Sequence, residues 1–315
     1  MEIVFRDCRP VSVCRECWQV PARYVGVRGV WRPALRVAVL AATIVAFAVY
    51  VAKHPELLRE LGQTPLWVVT GLLLLYVGWF AALALTVQAT LRLCRVPLAF
   101  GELGLLTAYS TLVNFFVPGQ GGLVVRGLYM KKQHGLGMKR YLLASLLYYA
   151  CYAVVSAFML LIASRPWWQT CLGLAVAGSA AVAVVRWYAG RSAERATALD
   201  LNVRSVCVLL LATLLQACVQ VAVYGFELYY VDPGVRPWQA VTYTGAANFS
   251  LFVALTPGAI GIRETFLYFS EQLHHIDTAA IIAASVIDRV VFLLLLGLLF
   301  LSTVAFHAKR ALRLD

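Results

Sequence analysis

Apolar runs at about 34–52, 66–91, 141–163, 167–187, 206–230 and 278–305 constrain this 315-residue chain more than any other feature. A bilayer core about 30 Å thick is crossed by roughly 20 apolar helical residues, because backbone groups left unpaired in hydrocarbon are too costly. With 62% hydrophobic and 13% charged residues and a mean hydropathy of +0.78, a water-soluble fold has no way to cover the apolar surface. The expectation is an all-α polytopic membrane protein with about six transmembrane helices.

The net charge of +12 suggests an anionic partner until the positions of the charges are considered. Arg6, Arg9, Arg15, Arg23, Arg28, Arg32 and Arg36 precede the first run, and Arg92 and Arg95 follow the second. Arg126, Lys131, Lys132, Lys139 and Arg140 lie before the third, Arg186, Arg191, Arg195 and Arg204 around the fourth and fifth, and Lys309, Arg310 and Arg313 in the tail. Six spans put all of these on one side, which the positive-inside rule makes the cytoplasm. The expected layout is a basic cytoplasmic arm (1–33), a membrane domain (34–305) and a cytoplasmic tail (306–315), in a cell inner membrane. No nucleic acid is implied.

This topology requires two further apolar stretches, about 103–117 and 239–256, not to cross. Each runs into a Pro-Gly pair, Pro118-Gly119 and Pro257-Gly258. Proline removes a donor and glycine loosens the chain, so both read as re-entrant helical hairpins, the first entering from the cytoplasm and the second from outside. They resemble each other. Tyr109, Asn114 and Phe115 line up with Tyr243, Asn248 and Phe249 at a constant offset, and Ala144-Ser145 with Ala284-Ser285 at a similar one. An odd number of spans separates the copies, which implies an inverted repeat with halves of about 34–163 and 167–305 and a site where the broken helices meet.

Pro118-Gly-Gln-Gly-Gly122 with Arg126, followed later by Thr256-Pro-Gly-Ala-Ile-Gly-Ile-Arg263-Glu264, resembles the lysylphosphatidylglycerol synthase transmembrane family, also described as flippase-like, over roughly 34–305. That resemblance implies lipid translocation. The family includes a membrane half that moves aminoacylated phosphatidylglycerol between leaflets, and relatives tied to glycolipid or hopanoid handling. No aminoacyl-transferase domain follows here, so lysyl-lipid synthesis is not expected. Four positions depart from the family pattern. Gln120 stands where Arg is common, Leu123 where Glu is common, and Tyr148-Tyr149 where an Asp-Arg pair is common, whereas the second half keeps Asp288-Arg289.

Ionisable groups inside a span cost about 2.5–3.5 kcal/mol on insertion scales and are functional candidates by default. Asp288 lies ten residues into its span, roughly 15 Å deep. Adjacent helical residues diverge by about 100°, so Asp288 and Arg289 need separate partners. Arg263 and Glu264 can supply them, Asp288 with Arg263 and Arg289 with Glu264. A purely structural ion-pair network is the competing reading. Helices restarting after Gly122 and Gly258 offer anion sites, with Arg126 and Arg263 one turn in to grip a phosphate bidentately. Asn114 and Asn248 can bond the broken backbone or a head group. The head-group residues expected are therefore Arg126, Asn114, Pro118, Gly119, Asn248, Pro257, Gly258, Arg263, Glu264, Asp288 and Arg289.

Other groups read as structural. Glu227, near the outer end of its span, is taken as interfacial, and His274 and His275 as outer-loop residues. Cys8, Cys14 and Cys17 lack a fourth ligand at zinc spacing, so no metal is expected. Cys94 is near an inner end, and Cys151, Cys171, Cys207 and Cys218, in or beside spans, are expected to pack as small apolar residues. The arm is too polar and too long for a secretion signal. No Walker A, H-E-x-x-H or G-x-S-x-G motif occurs, so neither a cofactor nor an enzyme is expected. The expected partner is an anionic phospholipid or a polyprenyl-phosphate-linked lipid, and a homo-oligomer is compatible with the sequence. The alternatives are a non-transporting scaffold or regulator of envelope lipid synthesis, and a membrane-embedded lipid-modifying transferase.

Overall fold

The computed structural model describes residues 64–117, 120–162, 199–252, 262–269 and 275–311, with a few isolated positions between these segments. Expectations for the arm, the apolar runs at 34–52 and 167–187, both Pro-Gly pairs and His274 fall outside the described residues. Within them the chain is helical: α1 (Leu66–Leu93), α2 (Phe100–Phe116), α3 (Gly121–His134), α4 (Met138–Leu161), α5 (Val203–Val231), α6 (Pro237–Ser250), α7 (Ile262–Phe269) and α8 (Thr278–Ala311).

Four of these helices, α1, α4, α5 and α8 up to Phe306, are long and apolar enough to cross a membrane. Only 28 to 44% of each crossing window is buried within the protein, and Leu74, Leu85, Leu211, Leu298 and Leu301 face outward. An apolar surface of that extent is one that lipid covers. The stops follow local chemistry. Asn202 caps α5 by accepting from the Ser205 N–H (2.7 Å), and α3 ends in Lys131, Lys132 and His134 before Gly135 at φ +65°. Two expected hairpin helices, α2 and α6, are only 17 and 14 residues long.

Contacts fix the helix directions. Trp67 packs on Phe226 and Tyr230, while the Leu93 carbonyl accepts from Asp200 N–H, so α1 and α5 run antiparallel. Tyr148 and Tyr152 reach Gln216 and Gln220, making α4 parallel to α5. Asp288 and Phe292 meet Tyr76 and Trp79, making α8 parallel to α1. If α1–α4 are exchanged with α5–α8, each extensive helix contact maps onto another: α6 on α4 answers α2 on α8, and α2 on α3 answers α6 on α7. Equivalent helices pointing in opposite directions give the packing an exchange symmetry of the kind an inverted repeat generates.

The short helices come in from opposite ends. At one end Tyr129 Oη and His134 Nε2 meet Glu102 (2.6 and 2.7 Å), and Gly122 N–H bonds Asn114 Oδ1 (2.6 Å), so α2 and α3 form an antiparallel hairpin. Trp238 packs on His275 near the other end, and α6 then stops beside Tyr149 and Tyr152, half way along α4. Gly245 allows this approach. A Cβ there would lie 2.8 Å from both the Leu160 Cα and the Ser156 carbonyl oxygen, too close for any side chain.

Candidate functional site

Where the two broken segments face each other, with Gln120 Nε2 3.5 Å from the Leu251 carbonyl, a cavity of about 250 Å³ opens. Of the expected head-group residues it brings together Asn114, Arg126, Arg263, Asp288 and Arg289. Asn248 is buried but does not line it, and neither side-chain polar atom of Asn248 has a partner among the described residues. The side chain of Glu264, and with it the expected Arg289–Glu264 pair, lies outside the described residues.

One wall is charged. Asp288 accepts from Arg263 Nη1 and from Tyr76 Oη, so the expected Asp288–Arg263 pair is present. The Arg263 guanidinium lies 4.8 Å from the centre of the Tyr224 ring, a cation–π position. Its Nε and Nη2 find no acceptor among the described residues. A guanidinium offers five N–H donors, so the buried ion pair leaves most of this one unsatisfied.

The opposite wall is neutral apart from Arg126. Tyr152 Oη donates to Gln220 Oε1 (2.8 Å), Tyr148 Oη to Gln216 Oε1 (3.4 Å) and Tyr149 Oη to Gln120 Oε1 (3.0 Å). Two of the departures from the family pattern, Gln120 and Tyr149, are thus partners, a neutral hydrogen bond where charges are common. Arg126 is buried, and its Nε donates to the Gly122 carbonyl (3.3 Å).

At the start of α3 Asn114 accepts from Gly122 N–H, as a capping side chain does, which is the bond to the broken backbone expected of it. One expectation needs correction. Glu227 is not interfacial. It is 1% exposed and lies one turn along α5 from Tyr224, whose ring packs on Arg263. Span-end position was a misleading cue; the better signal was the spacing Gln216, Gln220, Tyr224, Glu227, which places four polar groups on one stripe of an apolar helix. The same period runs through Tyr141, Ser145, Tyr148, Tyr152 and Ser156 of α4, all buried.

A helical membrane protein with a polar cavity between two interrupted segments is the class that this architecture defines. The chain belongs to the family described as "Lysylphosphatidylglycerol synthase TM region", which it matches over residues 34–299. No curated protein matches the sequence.

Proposed function

We propose that the protein carries a phosphate-bearing lipid between the leaflets of a cell inner membrane, taking an anionic phospholipid or a polyprenyl-phosphate-linked lipid and making no covalent change to it. In this reading α2–α3 and α6–α7 are re-entrant hairpins in an inverted repeat of six spans, with both termini in the cytoplasm. One observation carries it: the buried Arg263 guanidinium, with two N–H-bearing nitrogens lacking acceptors among the described residues, in a cavity between helix tips that enter from opposite ends. Arg126 and Arg289 line the same cavity and add to its preference for an anion.

The cavity suits a head group and leaves acyl chains in the bilayer. A phosphate arriving there competes with Asp288 for Arg263, so Asp288 holds the arginine in place when no lipid is bound. Rocking of one hairpin with its flanking helices against the other would open the cavity to alternate leaflets. The test is a dithionite-quench leaflet assay in proteoliposomes, with fluorescent phosphatidylglycerol and a polyprenyl-phosphate analogue. Wild type should move at least one of them, and Arg263→Ala should not, while a thermal melt verifies that the variant is folded. Retention of both lipids in their original leaflet by the wild type would overturn transport in favour of a scaffold.

A further inference from the structure

Glu227 is the buried acid that the lipid-binding reading leaves unused. Neither of its oxygens meets a donor among the described residues. The titratable and charged groups around it come from five helices: Tyr76 on α1, Tyr224 on its own helix, Tyr243 on α6, Arg263 on α7 and Asp288 on α8. Arg263 is already committed to Asp288. Glu227 lies one turn along α5 from Tyr224, whose ring packs on Arg263, and a carboxyl group buried beside an ion pair whose guanidinium is bonded to the other acid, with no donor of its own, keeps its proton.

We propose that Glu227 and Asp288 form a proton site that couples uptake of an anionic head group to uptake of a proton. This rests on the transport reading and supplies its energy source. Without lipid, Arg263 is a cation, Asp288 a carboxylate and Glu227 a neutral acid, so the three sum to zero. When a singly charged phosphodiester displaces Asp288 from Arg263, the freed carboxylate takes a proton from the cavity. An O–H bond forms on Asp288, and the site, now with its bound anion, is neutral again. Release of the head group restores the Arg263–Asp288 pair and returns that proton. The lipid thus moves with one proton and no net charge, and a proton gradient can drive it.

Infrared difference spectroscopy on the full chain in nanodiscs at neutral pH tests this. Wild type should show the carbonyl stretch of a protonated carboxylic acid. Glu227→Gln should lose it, and so should Asp288→Asn, because Arg263 is then free to pair with an ionised Glu227. Dimethyl phosphate, a singly charged phosphodiester that does not titrate near neutrality, should strengthen the band in wild type, with a pH dye reporting uptake of roughly one proton per site. Absence of the band in wild type, or its survival in Glu227→Gln, overturns the proton site. A band that dimethyl phosphate leaves unchanged overturns the coupling. The leaflet assay fails or succeeds independently, since the infrared band does not depend on any lipid moving.

Discussion

The two walls of the cavity are built from equivalent helices and filled with different chemistry. On one, α1 supplies Tyr76 to Asp288 of α8; on the other, α5 supplies Gln216 and Gln220 to Tyr148 and Tyr152 of α4. Tyr148 precedes Asp288 by the same offset that separates Ala144-Ser145 from Ala284-Ser285, so at matching sequence positions stand a tyrosine that donates to an amide and an acid that accepts from a tyrosine. Helix packing tolerates either pairing because both close a buried hydrogen bond. Only the charged one leaves buried guanidinium nitrogens without an acceptor among the described residues, and the difference lies in ligand chemistry rather than in architecture.

The packing the halves share can be broken hardest at its crossing glycine. Gly245→Val drives a side chain into the α4 backbone and should cost more than about 3 kcal/mol, read as loss of the folded species in a detergent thermal melt. Next comes the contrast between arginines. Arg263→Ala leaves Asp288 buried without its partner and should destabilise by about 3–5 kcal/mol and abolish transport. Arg126→Ala breaks no ion pair among the described residues and should cost well under half of that in the same melt. Equal effects would erase the distinction between the walls.

Smaller effects sharpen it. Asn114→Ala uncaps α3 at Gly122 and should cost about 1 kcal/mol, measured against Asn248→Ala, which removes no hydrogen bond between described residues. Tyr152→Phe should lose about 1 kcal/mol through its 2.8 Å bond to Gln220, and Tyr148→Phe less, its bond to Gln216 being 3.4 Å. Transport should survive both substitutions in the leaflet assay if the neutral wall only shapes the cavity.

Much of this was legible before any coordinates. The apolar runs located α1, α4, α5 and α8 to within a few residues, because hydrocarbon thickness sets helix length. Asp288 and Arg263 stood out because a charge in an apolar helix has few structural excuses. Glu227 escaped because distance to a span end was used where helical face was needed: four residues from the end of α5, it points inward on the stripe of Gln216 and Gln220. The bond from Gly122 N–H to Asn114 fell within the reading that Asn114 bonds the broken backbone, because a helix restarted after a break leaves N–H groups to be met.

Membrane residence and the four long apolar helices follow from composition and period, which act locally along the chain. Which acid meets Arg263, that a second acid is buried near that pair, and that one wall is charged and the other mostly neutral depend on side chains from α1, α5, α7 and α8 converging across more than two hundred residues, from Tyr76 to Asp288. Burial makes the energy of each group depend on its neighbours, and those neighbours exist only once the helices have packed.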